Sequence, residues 1–315
     1  MNLRALSAVC FLSLAACTQE RALPLRIGAN NWPGYGPLFL ATETGLLSHH
    51  DAELVDLPSA TEVMYGLKHG LLDGAALTLD ESLTLLAEGT PVEVVAVLDV
   101  SDGADAIVAH AGLASSADLR GRTVGVETSA LGTIMLLSAL EANGLTMQDV
   151  RVRTLTVEDH LAAFQAGEVD ALVTFEPVKS QAVAAGGTSI FDSRAIPGRI
   201  VDVLAVRSDL EPARQGEVGV LVDAWFAAQA AVARDPSGTA KVMAPRSGVS
   251  PDAFRAAMAT IRFPDREENR RLLGGATPGL AAPARELAGL LVRGGRLPAV
   301  PSVEGLFDGS FAGVP

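Results

Sequence analysis

Five carboxylates stand where apolar runs end. Asp80 and Glu81 follow Gly74-Ala75-Ala76-Leu77-Thr78, Asp102 and Asp105 sit in a turn beyond the run 92–98, and Glu176 follows Val169-Asp170-Ala171-Leu172-Val173. In a site drier than bulk water such groups pair with an amine, an amidine or a pyrimidine-type ligand through charge-assisted hydrogen bonds. The alternative is local work, since Asp80 is a good helix cap and Asp102-Gly103 a good turn. Glu176 has fewer such uses, because Pro177 behind it favours extended backbone at a strand exit. Trp32 precedes a Pro-Gly turn, where its indole either offers a ligand a flat wall and one donor or packs beneath the loop. Tyr35 either joins it or faces its own helix. Thr128-Ser129-Ala130 opens a helix, and free N–H groups and hydroxyls there either hold a carboxylate, sulfonate or phosphate or simply cap the helix.

Other chemistry lacks its residues. The cysteines are Cys10 and Cys17, both at the extreme amino terminus, so the body of the chain has no thiol for a disulfide, a zinc site or a nucleophile. The five histidines have no zinc spacing with carboxylates, and there is no Gly-x-Ser-x-Gly elbow, Walker loop or Gly-x-Gly-x-x-Gly after the first strand. These absences predict a protein that is not an enzyme and carries no cofactor or metal. A formal charge of -13 argues against nucleic acid as a partner. With 49% hydrophobic and 19% charged residues the chain is globular, and without disulfides its fold must rest on packing.

The elements that must position these residues follow from periodicity. Short leucine-rich or β-branched runs alternate with alanine-rich helical ones, which predicts an α/β protein with largely parallel sheets. Strands are predicted at 25–29, 52–57, 74–78, 92–98, 106–109, 123–126, 150–155, 169–173 and 200–206. Helices are predicted at 36–44, 60–69, 80–88, 131–143, 157–166 and 179–185. From 218 onward only helices are predicted, and 298–315 is predicted to be a surface tail. The segments 71–77 and 166–172 share a pattern of helix end, Asp, small residues and apolar strand, and each would deliver a strand's carboxyl end to a cleft, where open α/β sheets hold ligands.

The amino terminus predicts export. Arg4 precedes an apolar run from Ala5 to Ala16, which is shorter than the roughly 20 residues of a membrane span and is the pattern of a cleaved signal. Leu14-Ala15-Ala16-Cys17 resembles the bacterial lipobox, which implies a lipid on Cys17; the alternative is an ordinary signal with an incidental cysteine.

The stretch Asn31-Trp32-Pro33-Gly34-Tyr35-Gly36-Pro37-Leu38-Phe39-Leu40-Ala41, with Gly45-Leu46, is similar to the first strand-helix motif of the nitrate, sulfonate and taurine substrate-binding family, which also contains pyrimidine-precursor binders. Asp118-Leu119-Arg120-Gly121-Arg122-Thr123-Val124-Gly125-Val126 and Gly167-Glu168-Val169-Asp170-Ala171, running into Phe175-Glu176-Pro177, extend the resemblance over about 25–207. It implies a two-lobed type II periplasmic binding protein, each lobe a mixed sheet flanked by helices, joined by two hinge crossings. Behind a signal at 1–16, lobe 1 would comprise 17–103 and 204–315 and lobe 2 would comprise 104–203. The ligand would lie between them, touched by Trp32 and Tyr35 from the first loop, Thr78 and Asp80 from the third, Ser101, Asp102 and Asp105 from the hinge, and Thr128, Ser129, Ala130 and Glu176 from the opposite lobe. The implied function is that of a monomeric, membrane-anchored periplasmic receptor passing a sulfonate, a taurine-like molecule or a pyrimidine or amine zwitterion to the permease of an ABC importer. The alternative is a ligand-sensing partner of a membrane signalling protein. The acidic candidates favour a cationic or heterocyclic ligand and the Ser129 helix start an anionic one; a zwitterion satisfies both.

Overall fold

The computed structural model describes residues 23–127 and 129–313; the signal segment 1–16, Cys17 and Thr128 lie outside them. Eleven strands are found among the described residues: β1 (Leu25–Ala29), β2 (Ala52–Asp56), β3 (Gly74–Thr78), β4 (Val92–Ser101), β5 (Asp105–Ala109), β6 (Thr123–Glu127), β7 (Arg151–Leu155), β8 (Ala171–Phe175), β9 (Thr188–Asp192), β10 (Val201–Arg207) and β11 (Ile261–Arg262). They form two sheets, ordered β11-β4-β10-β3-β1-β2 and β7-β6-β8-β5-β9. The helices are α1 (Gly36–Glu43), α2 (Ala60–Lys68), α3 (Leu79–Ala87), α4 (Ala130–Glu141), α5 (His160–Gln165), α6 (Val178–Ala184), α7 (Gln215–Arg234), α8 (Pro236–Met243), α9 (Pro251–Met258), α10 (Arg266–Leu273) and α11 (Ala281–Arg293).

The sheets are mixed, where the alternating pattern predicts mostly parallel pairing. β1 with β2 and β3, and β6 with β7 and β8, are parallel; β4, β5 and β10 pair with their neighbouring strands antiparallel. The chain leaves the first sheet through 102–104 and returns through 193–200, so β10 enters between β3 and β4 against their direction. The two crossings are stitched together: Ser193 Oγ accepts from Gly103 N at 2.6 Å and lies 2.8 Å from Ser101 Oγ. Two strands escaped the sequence. β9 is a half-exposed edge whose apolar content is Ile190 and Phe191, and β11 has only two residues.

The repeated Asp has one physical meaning in both sheets. Asp73 Oδ2 accepts from Arg26 N at 2.9 Å, and Asp170 Oδ2 accepts from Thr123 N at 2.7 Å. Each aspartate enters a central strand and satisfies the first free N–H of the parallel neighbour, a donor the ladder itself leaves without a partner.

The carboxyl-terminal helices pack on the first sheet. By length and composition α7 with its preceding turn, Pro212–Arg234, could cross a membrane. It instead buries Val218, Leu221, Val222, Trp225 and Phe226 in the first lobe's core, and that burial accounts for its apolar character. The segment predicted as a surface tail is partly interior. Val303 and Leu306 are buried, Val94 N donates to Leu306 O at 2.7 Å, and Asp308 N donates to Val94 O at 3.0 Å. The tail thus satisfies backbone groups on the exposed edge of β4, which a free tail would leave open to wrong partners.

Candidate functional site

Strand register assembles the site. Asp202 of β10 stands opposite Thr78 of β3 on one side and Asp99 of β4 on the other, so three polar side chains form a row across the first sheet at its cleft end. A bulge at Leu98 sets this row, since Val203 pairs with Val97 while Asp202 pairs with Asp99. Asn269 of α10 holds the bulge, accepting from Val97 N at 2.6 Å and donating to Val97 O at 3.1 Å. In the second sheet Asp105 pairs with Phe175, and Glu127 ends β6.

The two rows enclose a narrow cavity. Asn30, Trp32, Tyr35, Thr78, Glu81 and Asp202 line it from the first lobe, and Asp105, Glu127, Leu131 and Phe175 from the second. Trp32 and Phe175 meet edge to face across the gap at 5.9 Å and 76°. Trp32 Nε1 donates to Asp99 Oδ2 at 3.1 Å, and Tyr35 Oη donates to Asp202 Oδ1 at 2.5 Å. Arg246, from the carboxyl-terminal part, completes the rim by donating to Asn30 O at 2.8 Å while paired with Asp56.

The electrostatics are one-sided. Glu81, Asp105, Glu127 and Asp202 line the cavity with no Lys or Arg among its described lining residues. Burial pushes the Asp105 carboxyl up to about 7; the Ser101 hydroxyl and Lys179 oppose the shift, and Asp80 and Glu176 add to it. Burial, then neighbouring Asp99, raises Asp202 well above the usual carboxylate range, and burial with Asp202 close by raises the Tyr35 phenol. Glu81, Asp80, Asp99 and Glu127 also move upward, each chiefly by burial. Asp99 Oδ1 and Asp202 Oδ2 have no donor, and a proton shared between these two carboxyls is one each can use.

The sequence-derived candidates divide accordingly. Trp32, Tyr35, Thr78, Glu81 and Asp105 line the cavity. Asp80 is buried behind the wall with neither carboxyl oxygen hydrogen-bonded. Ser101 is a hinge fastener, accepting from Asp105 N at 3.2 Å, and Asp102 is exposed on the far side of the crossing. Ser129 caps α4, accepting from Gly132 N at 3.1 Å, and Ala130 packs between the lobes in an apolar cluster. Glu176 spends its charge internally: Lys179 Nζ lies 3.3 Å away, and Ser180 donates to it from both N and Oγ. The lining residues Asn30, Glu127, Leu131, Phe175 and Asp202, and Asp99 behind them, were not selected as site residues. Asp99 and Asp202 carried a signal, for each is a lone aspartate inside an apolar strand, where an unpaired charge is costly.

Two mixed sheets joined by two crossings around a buried cavity define the type II periplasmic-binding fold, the fold of ABC-transporter solute-binding proteins. The chain superposes with TM-score 0.77 and 21% identity on the alkanesulfonate-binding protein SsuA from Xanthomonas axonopodis pv. citri bound to MOPS, over 90% of this chain and 97% of that one. With the periplasmic aliphatic sulphonate binding protein SsuA from Escherichia coli the TM-score is 0.74 at 22% identity, over 91% and 92%. Residues 18–246 match the NMT1-like family, and the chain belongs to it. In sequence it is 28% identical over 138 residues to a protein of Escherichia coli (strain K12) provisionally named an aliphatic sulfonates-binding protein, a match spanning 43% of each. A provisionally named binding protein of Brucella abortus (strain 2308) is 27% identical over 226 residues, 70% of this chain and 64% of that protein.

Proposed function

We propose that this chain is an exported solute receptor that captures a small organic molecule between its lobes and hands it to the permease of an ABC importer, held at the membrane by a lipid on Cys17. The sulfonate ligands named for its relatives make sulfonates and taurine-like molecules candidates, alongside the amine and heterocyclic zwitterions that its carboxylates suit. The observation that carries the reading is the cavity itself, walled by both sheets beside the two crossings. Only about 30 Å³ of it is open to the centre of a water molecule, room for about two waters. A ligand of more than a few atoms therefore enters through an opened cleft, and its contacts with both walls favour closure. Rocking about 102–104 and 193–200 provides the motion.

The test is a thermal-shift screen of the signal-less protein against taurine, alkanesulfonates, nitrate, amino acids, polyamines, betaines and thiamine pyrimidines. A ligand at 100 times its Kd adds about 2.7 kcal/mol. With the tested chain begun after Cys17 it has no cysteine of its own, so Glu62→Cys and Glu158→Cys, both exposed and on opposite lobes, accept a fluorophore pair that reports closure. A hit that shortens the pair distance and is lost in Trp32→Ala supports the receptor. Binding that survives Trp32→Ala and leaves the distance unchanged refutes it.

A further inference from the structure

We propose that the molecule captured here is an organic cation, with a primary ammonium or amidinium head between Asp105 and Asp202 and an apolar body against Trp32 and Phe175. This rests on the receptor reading above and names its ligand class. The first observation is a pair of unsatisfied acceptors. Asp105 Oδ2 is buried with no hydrogen-bond partner among the described residues, and Asp202 Oδ2 has none beyond the proton it can share with Asp99; their side chains, each 2% exposed, line the cavity from opposite lobes. Carboxylate oxygens left this way in a dry site lack a donor, and an N–H-rich cation supplies several.

The second observation is that most of the donors an anion would need are already committed, the buried Thr78 hydroxyl being the exception. The Trp32 indole N–H goes to Asp99, the Tyr35 hydroxyl to Asp202, and the Ser129 hydroxyl, which accepts from Gly132 N, is hydrogen-bonded to the Glu127 carboxyl. Lys179, the cation that acts on Asp105, donates to Gly103 O at 2.6 Å and faces Glu176. A sulfonate or carboxylate head entering here would meet Glu81, Asp105, Glu127 and Asp202 with no Lys or Arg in the lining, and those of the carboxyls that have lost their proton repel it where the dielectric is low. The rings of Trp32 and Phe175 instead attract a cation.

The shape fits the same ligand. The inner space admits a head group, and it shares Asn30 and Phe175 with a larger cleft of about 580 Å³ whose wall includes Leu57, Pro58 and Leu161 beside Asp56, Glu158 and Arg246. The charged end would lie deep and the body outward.

Isothermal titration of the signal-less protein at pH 8 distinguishes the ligand classes, using matched probes: benzylamine and benzamidine against benzenesulfonate, propylamine against propanesulfonate, and calcium and zinc chlorides alone. The amine and amidine probes are expected to bind and the sulfonates to fail. Asp105→Asn and Asp202→Asn should each weaken cation binding about tenfold or more, as loss of a charge-assisted pair does, while the exposed Glu53→Gln leaves it unchanged. Thermal melts of each variant confirm folding. Sulfonate binding at equal or higher affinity overturns the proposal, as does cation binding indifferent to both Asn variants, saturation by metal alone, or no binding by any amine or amidine. A sulfonate that closes the lobes and is lost in Trp32→Ala removes the cation class but keeps the receptor. Cation binding that needs Asp105 yet leaves the lobes unmoved removes the receptor and keeps the site.

Discussion

Asp105→Asn should flatten the pH dependence of stability in the unliganded protein. Asp105 titrates near 7 when folded, against about 3.9 in an unfolded chain. Between those values the native state holds a proton the unfolded chain has released, so the group's contribution is fully present below about pH 4 and is lost as pH rises through 7. Between pH 5 and pH 8 the loss is about 2.6 kcal/mol for this one group, from 1.36 kcal/mol per pH unit and the two titration curves. For a chain of this size that is about 5–10 °C in melting temperature. Asp80, Glu81, Asp99, Glu127 and Asp202 add slopes of the same sign, so the measurement is the difference between wild type and variant in melts at pH 5, 6, 7 and 8 at fixed ionic strength. The amide side chain keeps the shape and removes the titration, and the variant should overtake wild type at high pH. Parallel profiles would refute the argument that burial without a partner holds this proton.

Three further outcomes follow from particular contacts. A Cβ in Gly34→Ala would stand 2.1 Å from Asp99 Oδ2 and 2.3 Å from Trp32 Nε1, so that bond must break; urea melts should show a loss of about 1–3 kcal/mol, with altered tryptophan emission. Gly294→Ala would place a Cβ 2.8 Å from Thr133 Cγ2 on α4 of the other lobe. It should weaken closure and lower ligand affinity about three- to tenfold through the smaller closed population, visible as a longer fluorophore distance with the cavity residues untouched. Lys179→Met strands Glu176, which is 2% exposed, and urea unfolding should register a cost of about 3–5 kcal/mol.

Much of the fold was legible along the chain because most strands are buried on both faces and therefore read as unbroken apolar runs bounded by glycines and aspartates. The run Gly74–Thr78 is buried throughout, and its predicted limits coincide with the strand. β9 was not legible, since an edge strand needs few apolar residues, and neither was the tail, whose burial depends on an unpaired edge of β4 supplied by distant sequence. The site was only half legible. Trp32 and Tyr35 announce themselves as aromatics beside a Pro-Gly turn, and the chain's acidity was plain from composition.

Which carboxylates face a ligand was a tertiary matter. Trp32 meets Asp99 across 67 residues and Tyr35 meets Asp202 across 167. No local pattern encodes those pairings, and the bulge at Leu98 decides which strand residues stand side by side. Glu176 shows the converse: its type and position suit a ligand, yet Lys179, one turn further on, claims its charge. The sequence alone determined two α/β lobes, a family resemblance and a site without thiol chemistry, because periodicity and residue type carry those facts. Only the tertiary structure decided which carboxyls make the cleft acidic, because burial and cross-strand register, rather than identity, set whether a charged side chain is spent on the protein or left for a ligand.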